Sequence, residues 1–420
     1  MGNSQSYSTD PRFASAKRAF TEKELEDLNF LFLSLSEKSE SNAQYISPSV
    51  FKVHIGIEGK LGDRLFDLVT QNRKDQKLTF EDLVIAKATY EKGTKDEMEE
   101  FVYQLLDVSG DGTVERSDLE AVLNAMLDDI FSHKCSEGGP GSNSDIIDIL
   151  LSAANFTIDT QNPAARCMSY GDFRKWCELL PSVRKFLGSL LKPSDSGSDV
   201  PRLVHQDNIR SDMILLRKEY AWLIGGALPQ EELREWKLLY HSAVHGLSFN
   251  TFLGNMANDK CPAVLIIKDK NGNTYGGYAS QPWERHGEFY GDMKSFIFQL
   301  YPKASIYRPT GANYNIQWCA VNFSSESIPN GIGFGGRVNH FGLFISANFD
   351  QGHTFPCTTF GSPSLSGCNI IYPETIECWE VQIKKAQEEA HHDRIKGSVL
   401  ERFKEDKNML NMVGLANSSD

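Results

Sequence analysis

The chain has 420 residues, 40% hydrophobic and 24% charged, with 33 Gly and 16 Pro; this is the make-up of a folded protein with two or three cores and excludes a collagen-like or low-complexity chain. The formal net charge of -13 is local: residues 93–130 carry eleven Asp or Glu against Lys95 and Arg116, which argues against nucleic acid as a partner. No apolar run approaches the roughly 20 residues of a membrane span, and the eight cysteines form neither a C-x-x-C pair nor a regular framework, so they read as free thiols of a reducing compartment.

Residues 1–20 read as a flexible N-terminus. Met1-Gly2-Asn3-Ser4-Gln5-Ser6 fits the M-G-x-x-x-[ST] acceptor, which makes Gly2 the expected site of N-myristoylation. One acyl chain anchors only marginally, and Arg12, Lys17, Arg18 and Lys23 are the thin basic patch available as a second signal. Thr21 then precedes a helical pattern as an N-cap, with Glu22 and Glu24 in the first turn.

Within the acidic stretch, residues 107–118 separate two amphipathic runs and place oxygen side chains at positions 1, 3, 5, 9 and 12. That is the spacing of an EF-hand calcium loop. Asp107, Ser109, Asp111 and Asp118 supply side-chain oxygens, Thr113 its carbonyl, and Glu115 a direct or water-mediated oxygen, while Gly112 sits at the sharp turn. Position 12 is Asp118 where a bidentate Glu is usual, so the site is expected to be weaker or more tolerant of magnesium. No catalytic residue and no organic cofactor site is assigned.

Aligning on the apolar position 8 and the acidic position 12 finds a partner loop at 71–82, starting 36 residues upstream, with Leu78 and Asp82 at those positions. Gln71, Arg73 and Gln76 replace its ligands and turn glycine, so this copy is expected to stay empty and to pair with 107–118. Fainter copies lie at 39–50, with Ile46 at position 8, and at 161–172, with Met168 there. Four helix–loop–helix units, one with a full ligand set, are therefore expected over 21–191 as an all-α domain.

A polar segment bracketed by Pro193 and Pro201 marks a linker, and 192–234 reads as linker plus connecting helix. Beyond it the pattern changes to strands at 263–269, 274–279, 295–300, 314–323, 341–347 and 377–383, punctuated by Gly and Pro, with Asn271-Gly272 as a hairpin turn. This predicts a mainly antiparallel β-sandwich, giving an α+β protein. A helix with a narrow apolar stripe of Ile395, Val399, Phe403 and Leu410 closes the chain over 386–420.

The β half carries Trp236, His245-Gly246, Pro262-Ala-Val-Leu-Ile-Ile-Lys-Asp269, Tyr275-Gly-Gly-Tyr-Ala-Ser280, Phe334-Gly-Gly336, Phe341-Gly-Leu-Phe-Ile345, Gly352-His-Thr354, Cys357-Thr-Thr-Phe360 and Ile376-Glu-Cys-Trp379. In this order the blocks resemble the TLDc domain, here bounded at 235–385. The resemblance implies a β-sandwich without established catalytic machinery, a role in oxidative-stress resistance, and binding to a large partner such as the vacuolar-type proton ATPase or mTOR-linked machinery. It further implies a cytoplasmic protein held peripherally on an endolysosomal or vacuolar membrane. The alternative is an oxidation-resistance enzyme using Cys319 or Cys357 with histidines of the same half.

Three apparent motifs are set aside. Gly331-Ile-Gly-Phe-Gly-Gly336 is followed by a strand where a dinucleotide loop needs a helix, so it reads as a turn in the sheet. His286-Gly-Glu288 with Pro356-Cys357 lacks the second thiolate of a zinc deaminase, since Phe360 stands there. Gly361-Ser-Pro-Ser-Leu365 lacks the second glycine of a nucleophile elbow.

Overall fold

Helices in the first half start where threonine can cap them. Thr21 and Glu24, Thr79 and Asp82, and Thr94 and Glu97 each form a reciprocal capping box that satisfies otherwise unpaired N–H groups. In the computed structural model the described residues are 11–39, 44–71, 73–132, 144–158, 166–192, 199–206, 209–256, 261–325 and 327–382. Gly2 and the helix expected over 386–420 lie outside them.

After α1 (Pro11–Lys17), eight helices form four helix–loop–helix units: α2 (Glu22–Lys38) with α3 (Pro48–Ile55), α4 (Gly59–Val69) with α5 (Phe80–Lys87), α6 (Lys95–Leu106) with α7 (Arg116–Ser132), and α8 (Ser144–Leu151) with α9 (Tyr170–Leu179). A short α10 (Pro181–Leu187) follows. The fourth unit contains a two-residue ribbon of β1 (Thr157–Ile158) and β2 (Arg166–Cys167).

The loops pair by their position-8 residues, but not as expected. Ile46 and Leu78 exchange backbone hydrogen bonds of 2.9 and 3.1 Å, and the Met168 N–H donates to the Val114 carbonyl at 2.8 Å. Loop 71–82 therefore pairs with loop 39–50, and loop 107–118 with loop 161–172, which corrects the 71/107 pairing. All four residues are buried, each contributing about 1.5–3 kcal/mol of apolar transfer. Each lobe of the helical half is thus a pair of consecutive units.

The β half has a seven-stranded and a five-stranded sheet. The first contains β3 (Arg202–Val204), β4 (Glu235–His241), β5 (Ala263–Asp269), β6 (Thr274–Ala279), β7 (Phe296–Tyr301), β8 (Ser305–Tyr307) and the late strand β14 (Pro373–Val381), in the order β3-β4-β14-β5-β6-β7-β8. The second contains β9 (Gln317–Ala320), β10 (Gly331–Arg337), β11 (His340–Ser346), β12 (Gly352–His353) and β13 (Ile370–Ile371), in the order β13-β12-β11-β10-β9. Every pairing is antiparallel except β3 with β4.

Residues Gly331 to Gly336 are not a turn. They form β10, the strand between β9 and β11, and the turn falls at Val338-Asn339, where Asn339 takes φ +63°. A Cβ on Gly331 would come within 2.1 Å of the Ile345 carbonyl, so glycine here reports close strand packing.

Strand β5 explains how the halves join. Leu265 and Ile267 face Ile332, Phe334, Leu343 and Ile345 in the sandwich core, whereas Val264 and Ile266 belong to a second core with the helical residues. Both faces are buried, so the strand reads as a continuous apolar run. The segment 202–225 is likewise packed: β3 extends the sheet, and Trp222 of α11 (Lys218–Gly225) is buried with its ring 6.3 Å from Phe131.

Candidate functional site

Loop 107–118 is shaped by its own first residue. Asp107 Oδ1 accepts from Ser109 Oγ at 3.1 Å and from the N–H groups of Gly110 and Asp111 at 2.8 and 3.2 Å, and Oδ2 accepts from the Gly112 N–H at 3.0 Å. Gly112 has φ +91° and open space about its Cβ position, so the sharp turn needs glycine for its backbone and not for clearance. Asp118 at position 12 caps α7 by accepting from the Glu115 N–H at 3.1 Å. Asp111 accepts from the Thr113 N–H and hydroxyl at 2.9 and 2.8 Å, and these bonds hold its carboxyl below the usual carboxylate range.

The predicted ligands Asp107, Ser109, Asp111, Thr113, Glu115 and Asp118 thus share one loop between helices. The Asp107, Asp111 and Asp118 carboxylates face backbone amides, and among the described residues no group of three or more His, Cys, Asp or Glu is gathered to hold a metal. The donor types and the glycine turn are those a hard divalent cation takes, but binding would need Asp111 to rotate away from Thr113 and Asp107 to exchange its amide and Arg64 bonds. Thr113 would offer its carbonyl, and Asp118 one carboxylate.

An unexpected residue touches this loop. Arg64 of α4 donates to Asp107 Oδ2 at 3.2 Å and to the Gln104 carbonyl at 3.0 Å, with only 14% of its side chain exposed. A guanidinium on the position-1 carboxylate competes with an incoming cation. Arg64 lies 43 positions from Asp107, and no local pattern in the sequence marks it.

The companion loop 71–82 carries its own cation. Arg73 at position 3 donates to the Asp82 carboxylate at position 12 and to the Lys77 carbonyl at position 7, at 2.7 Å for the latter, and lies 3.7 Å from Asp75 at position 5. These are groups that would ligate calcium in an intact loop. Gln76 adopts φ +54° where the turn glycine would stand. The signal for this was a basic residue at a ligand position.

In the β half, the histidines are committed to packing. His241 Nε2 lies 3.1 Å from the Met213 carbonyl, His245 Nδ1 accepts from the His241 N–H at 3.0 Å, His286 stacks on Tyr290 at 4.0 Å, and His340 on Phe355 at 4.6 Å. Burial, with His340 nearby, depresses His353 to about 4. Burial pushes the Cys319 thiol up to about 12 and raises Cys378, whereas a reactive thiol needs the opposite shift. Cys357 is buried against the β10–β11 glycines, whose added Cβ atoms would lie 2.7 and 2.9 Å from its sulfur at Gly335 and Gly342. Glu377, raised by burial, accepts from the Leu215 and Leu216 N–H groups at 2.6 and 3.1 Å and from Trp379 Nε1 at 2.8 Å, which pins the segment before α11 to the sheet.

Residues 209–382 match the family model of the TLDc domain. Strands β4 to β14 all lie within this TLDc match. The chain is 37% identical over 196 residues to the MTOR-associated protein MEAK7 of Xenopus laevis, covering 46% of this chain and 41% of that one. It is 29% identical over 300 residues to the protein of the same name in Mus musculus, covering 68% and 64%. Oxidation resistance protein 1 of Rattus norvegicus is 29% identical over 144 residues, 34% of this chain and 16% of that protein. The chain spans about half the length of the MTOR-associated relatives it matches.

Proposed function

We propose that this protein is a non-enzymatic, calcium-binding adaptor whose TLDc region binds a large protein partner. The observation that carries the reading is one loop with a full ligand set, set in a helical half that shares a core with the TLDc sheet. A divalent cation would supply fixed positive charge to Asp107, Asp111 and Asp118 and order loop 107–118. Its paired loop leads into α9, where Tyr103 of α6 packs on Tyr170 and Phe173 at 5.4 Å. Ordering the pair would shift what the helical half presents beside the TLDc domain.

The names of the relatives support a partner in an mTOR-linked context and a role in oxidative-stress resistance; the vacuolar-type proton ATPase is the specific assembly we propose. Acylation at Gly2 would hold the protein peripherally on endolysosomal or vacuolar membrane, with a further signal to make the anchor stable. The buried Cys319 thiol, pushed up to about 12, supports regulation over direct oxidant chemistry.

The test is a pull-down with the full chain as bait, in 1 mM calcium and in chelator, scored for proton-ATPase and mTOR-complex subunits. Calcium-dependent retention of either supports the adaptor. Equal retention of neither, together with peroxide consumption by the purified chain, would replace it with the enzyme reading.

A further inference from the structure

A cavity of about 1020 Å³ lies where α9 and α10 meet the TLDc domain. Five Lys or Arg side chains line it against two carboxylates, in a protein whose net charge is -13. Trp222 and Ile306, both buried, contribute apolar wall.

Two of the cations come from different halves and are fixed side by side. Lys185 of α10 donates to the Leu228 carbonyl at 2.7 Å, and Arg308, which follows β8, donates to the adjacent Ala227 carbonyl at 2.6 Å. For Arg308 the carbonyl orients the cation without neutralising it. Arg308 also lies over the Phe296 ring at 5.9 Å, and among the described residues no carboxylate pairs with it. Desolvation lowers its guanidinium from the ordinary value with no acidic group opposing. Arg184, a third lining cation, is held by Glu99 at 2.7 Å.

We propose that this cavity binds a small molecule bearing several phosphates, held by Arg308 and Lys185 with its carbon skeleton against Trp222. Cations spread around one opening suit several phosphates better than a single carboxylate, and guanidinium donors match phosphate oxygens in pairs. The size is that of a metabolite site, and junctions between domains are where such sites gather. Because Lys185 belongs to the helical half and Arg308 to the TLDc domain, an occupied cavity would tie the two together.

The test is calorimetric titration and thermal unfolding of the full chain with inositol hexakisphosphate in 0.15 M salt, with citrate as the carboxylate control. The proposal expects saturable one-site binding, a raised melting temperature, and at least tenfold weaker binding in both Arg308→Gln and Lys185→Gln. Arg308→Gln keeps a donor for Ala227, so the fold is retained. Lys60→Gln, on the exposed surface of α4, should bind as wild type. Phosphatidylcholine vesicles with phosphatidylinositol bisphosphate separate the sources: binding to both vesicles and soluble phosphate, weakened alike by Arg308→Gln, identifies a lipid headgroup in the cavity. Binding to vesicles alone, equal binding of citrate, equal loss in Lys60→Gln, or no saturable binding would each overturn the site.

Discussion

Loops 71–82 and 107–118 are built on the same plan and solve the same electrostatic problem differently. Each has an apolar, buried residue at position 8 and an Asp at position 12 that caps the following helix. In 71–82 the acid is answered from within, by Arg73 at a ligand position. In 107–118 the ligand positions keep their oxygens, and the cation on the position-1 carboxylate, Arg64, is borrowed from α4. In the first loop the counter-ion stands at a ligand position of the loop itself, and in the second it comes from a helix outside the loop. The difference teaches that a degenerate loop can be a completed one, and that the calcium response of this protein should be confined to the lobe of α6 to α9.

The strongest way to break the comparison is to attack the paired position-8 residues. Val114→Asp buries an unpaired carboxylate against Met168 and should cost roughly 3–4 kcal/mol and abolish the calcium response, read as denaturant midpoint and calcium-induced thermal shift. Leu78→Asp should cost as much yet keep the response, because its partner is Ile46 in the other lobe. If Leu78→Asp also abolishes it, the lobes do not act separately.

Next in size is Arg73→Ala. The Asp82 side chain is 6% exposed and would lose its cation, so we expect a loss of about 2 kcal/mol in urea unfolding, with calcium stoichiometry unchanged. Stability equal to wild type would show that Arg73 is no surrogate. Arg64→Met should work in the other direction, removing the competitor at Asp107 and tightening calcium about tenfold, near 1.4 kcal/mol, in a chelator competition assay.

The smallest effect is on acid stability and belongs to the β half. His353 is held near 4 in the folded protein and is close to 6.5 when unfolded, so the unfolded state takes up the extra proton. Its contribution is whole above pH 6.5 and is lost as pH falls from there toward 4. After allowance for solvent screening the loss is on the order of 1 kcal/mol, and His353→Phe should flatten that part of the stability curve.

Much of this was legible in the chain. The strands at 263–269 and 274–279 fall where alternating and β-branched residues put them, and the Asn271-Gly272 turn joins them. Position-8 residues of all four loops were visible as apolar residues at fixed spacing, but that pattern is the same in each and cannot choose partners. Pairing shows only in the backbone bonds that join Ile46 to Leu78 and Met168 to Val114 across the loops. Arg64 was invisible because its acceptor lies across the fold, and β10 was hidden by glycines that mark close packing where they more often mark turns. The cavity at Arg308 needs residues from three separate segments, Lys185, Ala227-Leu228 and Arg308, and no local motif announces it.

The most direct measurement is a calorimetric calcium titration of the full chain beside its Asp111→Ala and Arg73→Ala variants. Asp111 is exposed and its carboxylate takes its two short bonds from Thr113, two residues on, so its loss should leave the fold intact. The account predicts one site in the wild-type and Arg73→Ala proteins and none in Asp111→Ala. A second site in the wild type, or binding that survives Asp111→Ala, would contradict it.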